Sequence, residues 1–366
     1  MKRISIVVGT RPNFIKITRF PELLNKHADK FDYQIIHTGQ HFDDKMSKVF
    51  FRNFGIEPDV YLNVAATAFE SQKIDTKIAL KKVFIEYKPD LVMVVGDVNS
   101  TAWAALTAHE MNIKIAHVES GLRSFDNTMP EELNRIITDQ AADYMFVTEQ
   151  SGMDNLLKEG KSSENIFFVG NTMIDAMVAF RIQIESSGIL KNLALTTKQY
   201  AIMTMHRPAT VDSMEGLRKL IDLIEGVTKK YKIVFPVHPR TIKRLKEFRL
   251  YESFVKNKNL QITEPLDYFS FQKLIKECKF IITDSGGIQE ESTFLQVPCL
   301  TLRANTERPS TVVIGTNELI PFSLSIIQKK IKEIEDGKYK KGSIPPMWEG
   351  KATERIIDSV LKLFSE

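Results

Sequence analysis

The residues most able to do chemistry are charged and polar side chains that directly follow short apolar runs. Seven loops combine such residues in this position, at 9–12, 38–41, 96–101, 117–123, 205–208, 236–240 and 283–287. Five of the seven histidines lie at or beside these loops: His37, His41, His117, His206 and His238. Carboxylates and imidazoles transfer protons, and arginines and backbone amides stabilise developing negative charge. Helix capping could explain one such loop, whereas seven of them indicate a functional site.

Three carboxylates are the candidate proton-transfer groups. Asp97 and Glu119 follow two successive apolar runs, and Glu131 follows Pro130 at the start of a predicted helix. If they converged on one cleft, they could remove a proton from a sugar and return it. Glu131 and Arg135 share one helix face, and a surface ion pair that complements the helix dipole explains this spacing equally well.

The tripeptide Ser285–Gly286–Gly287 separates an apolar run from a predicted helix. Glycine lets a phosphate approach the backbone, and amides at a helix N-terminus attract anions, although a plain tight turn would read the same. The sequence contains neither the Gly-x-Gly-x-x-Gly pattern nor a P-loop, which argues against NAD, FAD and ATP. No Cys, His and carboxylate spacing matches a known metal site. Phe269 and Phe271, just ahead of the turn, could stack on a base, but such residues more often lie in a core.

A framework of parallel strands must position these loops. Apolar runs alternate with helical stretches, which is typical of parallel sheets covered by helices on both faces. We therefore predict an α/β protein of two doubly wound, Rossmann-like domains, residues 1–170 and 171–352. A C-terminal helix within 353–366 is expected to return to the first domain, a helix is expected over 13–26, and the weakly patterned region 182–198 is the expected linker. In such folds the ligand lies beyond the carboxyl ends of the strands, here in the cleft between the domains.

Composition narrows the class of protein. The 366 residues are 43% hydrophobic, and 50 Lys+Arg against 46 Asp+Glu leave a net charge of +4. Basic residues are spread along the chain, which argues against nucleic-acid binding. No apolar run approaches the ~18 residues of a membrane span, and the first residues lack a signal-peptide pattern. Because Cys278 and Cys299 lie in apolar stretches, we expect buried free thiols and a cytoplasmic location.

Together these motifs resemble the non-hydrolysing UDP-N-acetylglucosamine 2-epimerases, which share the GT-B fold of many glycosyltransferases. The matching motifs run in order over nearly the whole chain, at 9–12, 96–97, 117–123, 130–135, 283–291 and 306–309. The resemblance implies reversible C2 epimerisation of UDP-N-acetylglucosamine to UDP-N-acetylmannosamine. A base removes the C2 proton, UDP leaves C1 to give a 2-acetamidoglucal, and UDP re-adds with protonation on the opposite face. The resemblance also implies a homodimer that needs no cofactor and no metal.

The resemblance further implies a role for each matching residue. Asp97, Glu119 and Glu131 would be the acid/base carboxylates, and His206 would be the partner of the departing UDP. The implied substrate-binding residues are Arg11, Lys16, Arg308 and the amides of Ser285, Gly286 and Gly287 around the diphosphate, Glu291 at the ribose, Phe271 at the uracil, and Arg135.

The sequence departs from the usual family pattern in several places. Pro208-Ala209-Thr210 stand where many members read Arg-Glu-Asn, and Asn13 stands where many have Glu. The stretch after Gln40-His41 is unusual, and an Arg expected within 69–72 is absent. These last two regions hold a regulatory UDP-sugar in some bacterial members, so we expect little or no activation by UDP-N-acetylglucosamine.

Other activities stay open at this point. Residues 40–43 and 46–47 also resemble relatives that epimerise UDP-2,3-diacetamido-2,3-dideoxyglucuronate. A hydrolysing 2-epimerase would release UDP and free N-acetylmannosamine, and a GT-B glycosyltransferase would need an acceptor. A binding-only sensor would have no need to keep Asp97, Glu119, Glu131 and His206 together.

Overall fold

The computed structural model describes residues 1–39, 51, 53–62, 64 and 69–365. The chain divides into two compact units, Met1–Ala179 with Pro346–Glu366, and Phe180–Pro345. Each unit contains its own parallel β-sheet, as the alternation of apolar runs and helical stretches predicts.

The described part of the first unit contains a seven-stranded sheet of order β3-β2-β1-β4-β5-β6-β7 in which every pairing is parallel. Its strands are β1 (Lys2–Val8), β2 (Phe31–His37), β3 (Val60–Tyr61), β4 (Leu91–Val95), β5 (Lys114–Ser120), β6 (Tyr144–Val147) and β7 (Ile166–Phe168). Its helices are α1 (Arg11–Ile17), α2 (Phe20–Asn25), α3 (Phe69–Tyr87), α4 (Asn99–Glu110), α5 (Pro130–Ala141), α6 (Gln150–Lys158), α7 (Thr172–Ala179) and, at the end of the chain, α18 (Ala352–Leu363). A short 3-10 helix, Ser163–Asn165, precedes β7.

The second unit contains a six-stranded parallel sheet of order β10-β9-β8-β11-β12-β13. Its strands are β8 (Tyr200–Thr204), β9 (Lys232–Pro236), β10 (Leu260–Thr263), β11 (Phe280–Thr283), β12 (Cys299–Thr301) and β13 (Asn317–Leu319). Its helices are α8 (Arg181–Ser186), α9 (Ile189–Asn192), α10 (Pro208–Val211), α11 (Met214–Thr228), α12 (Pro239–Glu247), α13 (Tyr251–Val255), α14 (Tyr268–Glu277), α15 (Gly286–Phe294), α16 (Pro309–Val313) and α17 (Leu324–Glu335).

Continuously apolar strands arise because both faces of each sheet are covered. In β11, Phe280 and Ile282 belong to one buried apolar cluster, and Ile281 belongs to the cluster on the opposite face. All five residues of β4 are likewise buried. Alternating residues of a strand point to opposite faces, so a strand buried on both sides has no position that faces solvent.

Strand order fixes where a ligand can approach. In each sheet the chain starts near the centre, at β1 or β8, winds to one side and then returns to the other. The crevice between the oppositely directed connections opens beyond the carboxyl ends of the strands, at β1 and β4 in the first unit and at β8 and β11 in the second. The loops after these four strands are among those singled out by their charged residues.

The end of the chain packs on the first unit. Trp348 is 1% exposed, and its Nε1 donates a hydrogen bond to the carbonyl of Thr148 at 3.0 Å. The Asp175 carboxylate accepts from the backbone N–H groups of Ala352 and Thr353, at 3.0 and 2.6 Å, and so caps α18. These contacts place residues 171–179 and 346–352 in the first unit, whereas the sequence assigned them to the second domain.

Two local expectations were wrong. The helix expected over 13–26 is divided into α1 and α2, because Pro21 lacks an N–H and therefore occupies the first turn of a new helix. The expected linker at 182–198 contains α8 and α9 and belongs to the second unit. Both cysteines are buried free thiols, as expected. Across the described residues, every helix is too short or too polar to cross a bilayer.

Candidate active site

The loop after β1 is fixed by Asn13, which is buried in the first turn of α1. Its Oδ1 accepts hydrogen bonds from the backbone N–H and the hydroxyl of Thr10, at 3.1 and 3.0 Å. Its Nδ2 donates to the carbonyl of Val95 at the end of β4, at 2.9 Å. A glutamate could accept the first two bonds but could not donate the third. Asn13 therefore ties α1, which carries Arg11 and Lys16, to the strand that leads to the next acidic loop.

Glu119 lies in a strained bulge at the end of β5. The pairing with β6 shifts register between Val118 and Ser120, and the φ of Glu119 is +73°. A non-glycine residue in this region costs about 1–3 kcal/mol and persists only where surrounding contacts enforce it. Its carboxylate forms an ion pair with the Lys16 ammonium, and the two side chains are 4% and 6% exposed. The strain and the buried pair show that surrounding contacts fix the orientation of Glu119.

Asp97 follows β4 and is held by a buried arginine. Its Oδ2 lies 2.7 Å from Nη2 of Arg135, and Nη1 of Arg135 lies 2.6 Å from Oε2 of Glu132. The surface ion pair that the spacing of Glu131 and Arg135 allowed does not form, because Arg135 points inward and is 1% exposed. The Asp97 side chain remains 19% exposed, so its carboxylate is accessible to a ligand.

Glu132 organises the neighbouring loop, a role that the sequence does not indicate. Its carboxylate accepts hydrogen bonds from the backbone N–H groups of Ser124 and Phe125 and from the Ser124 hydroxyl, each at 2.9 to 3.0 Å. Glu131 is exposed in the first turn of α5. The buried residues of α5 are all polar, so hydrophobic periodicity gives no signal that Glu132 rather than Glu131 faces inward.

In the second unit, Asp284 orients His206. Nδ1 of His206 lies 2.9 Å from Oδ1 of Asp284, and the backbone N–H groups of His206 and Arg207 donate to the same carboxylate at 3.0 and 2.9 Å. Burial raises the pKa of the Asp284 carboxyl, but the His206 hydrogen bond and charge and the two backbone bonds outweigh it and hold the pKa below its usual value. The His206 side chain is 41% exposed, so its Nε2 can exchange a proton with a ligand. The sequence places Asp284 in one of the strand-end loops but does not indicate this role.

The glycine turn opens α15 and abuts an arginine. Ser285 occupies the N-cap position without a capping bond from its side chain, and a Cβ on Gly286 would lie 2.8 Å from Oε1 of Glu307 and 2.9 Å from Nη1 of Arg308. Arg308 is 6% exposed and pairs with Glu307 and, through Nε at 2.7 Å, with Glu290. A guanidinium, a helix N-terminus and a residue without a side chain thus adjoin one another, which suits an oxyanion.

The remaining candidates of this unit lie on α14 and α15. Glu291 is 6% exposed, one turn into α15. Phe271 is half-buried and packs against the apolar cluster that contains Leu274, Ile275 and Ile288. Phe271 therefore contributes to packing, and its contact with a base stays a prediction.

Some predicted features cannot be placed. Gln40, His41, Phe42, Asp43, Met46 and Ser47, on which the substrate alternatives depended, lie outside the described residues. Within 1–39, 51, 53–62, 64 and 69–365, no three His, Cys, Asp or Glu residues are arranged to hold a metal ion.

Comparison with known proteins places the chain in a family. The family model described as UDP-N-acetylglucosamine 2-epimerase matches residues 24–361. The chain belongs to the UDP-N-acetylglucosamine 2-epimerase family. The UDP-N-acetylglucosamine 2-epimerase of Methanocaldococcus jannaschii is 40% identical over 362 residues, which cover 97% of this chain and 98% of the relative. A Pseudomonas aeruginosa relative, a UDP-2,3-diacetamido-2,3-dideoxy-D-glucuronate 2-epimerase, is 31% identical and aligns over 99% of this chain and 100% of its own.

The epimerase fold is shared as well. The crystal structure of the M. jannaschii 2-epimerase in complex with UDP-N-acetylglucosamine and UDP superimposes with a TM-score of 0.90 at 38% identity, covering 98% of this chain and 99% of that one. Membership of this family identifies the protein as an isomerase with two GT-B-like α/β units, as the motifs predicted.

Proposed function

We propose that this epimerase interconverts UDP-N-acetylglucosamine and UDP-N-acetylmannosamine by inverting C2. The observation that carries this proposal is the pair of carboxylates at adjacent strand ends, Asp97 directly after β4 and Glu119 at the end of β5. Each has its own buried cation, Arg135 and Lys16 respectively. Two such carboxylates can each serve one face of C2, one as the base and the other as the acid.

The proposed reaction balances without a redox partner. One carboxylate takes the C2 hydrogen as a proton, and the electron pair of the C–H bond forms the C1=C2 double bond. The C1–O bond breaks, and its electrons leave with UDP. In the second step of the same turnover the UDP oxygen adds to C1, and the other carboxylate protonates C2 on the opposite face. We assign the two proton transfers to Asp97 and Glu119. We propose Glu131 as a third acid/base carboxylate.

The second unit supplies the groups that a departing diphosphate needs. Negative charge grows on the diphosphate as the C1–O bond breaks, and preorganised donors stabilise it. Arg308 and the amides of Ser285–Gly287 are suited to this task, and His206, oriented by Asp284, can donate to the leaving oxygen. Arg11 on α1 completes the proposed cradle, with Glu291 at the ribose and Phe271 at the uracil. Arg135 acts on substrate through Asp97, since its guanidinium is buried.

Proton NMR of the protein with UDP-N-acetylglucosamine in heavy water tests the proposal. We expect a second UDP-sugar to appear while the C2 proton signal disappears. Accumulation of UDP with free N-acetylmannosamine would instead identify a hydrolysing enzyme, and an unchanged spectrum would refute the proposed substrate. Glu119→Gln should abolish turnover with the Kd for UDP within a few-fold. A UDP Kd that collapsed together with turnover would show that Glu119 is structural.

A second candidate substrate is UDP-2,3-diacetamido-2,3-dideoxyglucuronate. It is favoured by the P. aeruginosa relative, which aligns over almost the whole of both chains. The same NMR experiment with this sugar distinguishes the two, because only the true substrate should exchange its C2 hydrogen at a catalytic rate.

We also propose a cytoplasmic homodimer. The cytoplasmic location is supported by Cys278 and Cys299, which are both buried free thiols. Light scattering after size exclusion should give about twice the 41.9 kDa chain mass. A monomeric mass would refute the dimer.

A further inference from the structure

His117 is a buried histidine that has no role in the proposed chemistry. It precedes Glu119 by two residues in β5 and has no exposed surface. Its Nε2 lies 2.8 Å from the carbonyl oxygen of Gly96, the residue before Asp97. Its Nδ1 lies 2.6 Å from Oδ1 of Asp139 on α5. One imidazole ring therefore connects the two strand ends that carry the proposed proton-transfer carboxylates.

The Gly96 carbonyl determines the role of Nε2 in its hydrogen bond. A carbonyl oxygen can only accept a hydrogen bond, so Nε2 must carry a hydrogen. Asp139 accepts from the Gly121 N–H at 3.1 Å and pairs with Arg123 at 2.7 Å, both through Oδ2. Burial raises the pKa of the Asp139 carboxyl, but His117 and Arg123 outweigh burial and lower it. Nδ1 hydrogen-bonds to the Asp139 carboxyl, so both ring nitrogens have a partner.

Arg123 links Asp139 to a fourth residue. It forms a two-point contact with Glu159, from Nε at 2.9 Å and from Nη2 at 2.8 Å. The guanidinium of this four-residue network thus pairs with two carboxylates, and such pairing is what makes buried charge tolerable. All four members lie in the first unit, and all except Glu159 are almost completely buried.

The same network encloses the strained residue. Gly121 donates its N–H to Asp139 and accepts at its carbonyl from Nδ2 of Asn155 at 2.9 Å. A Cβ on Gly121 would lie 2.3 Å from the carbonyl oxygen of Gly152, so the chain is pressed against α6 here. Glu119, with its φ of +73°, therefore lies between two anchored points, His117 before it and Gly121 after it. A residue with an unfavourable φ persists only where surrounding contacts hold its backbone in this way.

We propose that His117 is a positioning residue for epimerisation: bonded to Gly96 and Asp139, it holds the backbones that carry Asp97 and Glu119. The inference rests on the proposed function, in which these two carboxylates exchange the C2 proton. Loss of the clamp lets the bulge relax and shifts both carboxylates from the sugar. A misplacement of about 1 Å can cost about 100-fold in rate without a change in binding.

Nitrogen-15 NMR of the full chain with labelled histidine tests the clamp directly. The His117 signals are assigned by their loss in His117→Gln. We expect Nε2 to carry a hydrogen, because its partner is the Gly96 carbonyl, whereas a bare Nε2 would overturn the proposal. This measurement does not depend on the identity of the substrate. It therefore still tests the clamp if the protein turns over neither UDP-sugar.

Kinetics then test the positioning role. We expect His117→Gln and Asp139→Asn each to lower kcat about 100-fold, with KM and the Kd for UDP within threefold of wild type. The double variant should be no slower than the worse single variant, because the residues act as one unit. His109→Gln, at an exposed position on α4, is the matched control and should keep wild-type kcat.

Two outcomes would contradict the positioning role. One is a wild-type kcat in His117→Gln, and the other is a loss that appears in KM and UDP affinity as much as in kcat. If His117→Gln fails to fold, Asp139→Asn and amide hydrogen exchange decide the question. In a folded Asp139→Asn protein the Gly121 amide should exchange faster than in wild type, and unchanged exchange would overturn the clamp.

Discussion

Replacing Gly286 by alanine should weaken UDP binding while leaving the fold intact. The new Cβ would lie 2.8 Å from Oε1 of Glu307 and 2.9 Å from Nη1 of Arg308. Both atoms are the ends of long side chains, so they can move away rather than unfold the helix. The backbone φ of Gly286 is not in the left-handed region, so alanine fits the conformation. The substitution therefore acts on the position of the Arg308 guanidinium.

The expected magnitude follows from what Arg308 would do in the proposed cradle. A hydrogen bond to a charged group contributes about 1.5–3 kcal/mol, and each 1.4 kcal/mol is tenfold in Kd. Displacing the guanidinium from the diphosphate should therefore raise the Kd for UDP about 10- to 100-fold. Alanine has a higher helix propensity than glycine, so Tm should stay equal or rise slightly.

Calorimetric titration with UDP gives the Kd, and a thermal melt of the same protein gives the Tm. Gly188→Ala is the matched control, because a Cβ at Gly188 would meet no atom within 4 Å. An unchanged UDP Kd at wild-type Tm would refute the place of Arg308 in the cradle. A large fall in Tm would show that the ends of the Glu307 and Arg308 side chains cannot move away from the new Cβ.

Three further predictions concern other parts of the chain. The folded-state pKa of Asp284 lies below its unfolded value of about 3.8, so its stabilising effect is present above about pH 4 and is lost as the pH falls through the folded-state pKa. Asp284→Asn should therefore be less stable than wild type at pH 7, with the gap in urea unfolding closing towards pH 2. Trp348→Ala should destabilise the protein by about 3–5 kcal/mol in urea unfolding, because it removes a large buried ring. A loss below 1 kcal/mol would show that residues 346–352 are not anchored by it. Initial rates should rise hyperbolically with UDP-N-acetylglucosamine, and clear sigmoidicity would refute the expected absence of activation.

The sequence predicts the sheets well because their signal is local and strong. Apolar runs such as Leu91–Val95 are buried on both faces, and the loops that follow them must emerge at the carboxyl edge of a parallel sheet. That rule placed Asp97, Glu119 and His206 at strand ends without any contact information. The alternation of strands and helices likewise predicted two α/β units.

The sequence does not predict which side chains contact each other in the site. The buried face of α5 consists of Glu132, Arg135, Thr138 and Asp139, while Leu133 and Ile137 are exposed. A helix whose inner face is polar inverts the usual amphipathic pattern, so periodicity assigns the wrong residues to the surface. The role of Arg135 depends on Asp97, 38 positions away, which no spacing rule connects. Asn13 is similar, since its third hydrogen bond goes to a strand more than 80 residues later.

The charges of the two units bear on how tightly UDP would be held in the proposed reaction. In the first unit Asp97 and Glu119 already contact Arg135 and Lys16, and in the second Arg308 already contacts Glu290 and Glu307. A diphosphate that binds Arg308 must therefore compete with two carboxylates whose attraction it replaces. We infer that the net gain from binding is the contribution of about 1.5–3 kcal/mol of a charged hydrogen bond, and not the full attraction between a guanidinium and a phosphate. This balance suits the proposed reaction, in which UDP would be held while the glucal exists and would then return to C1.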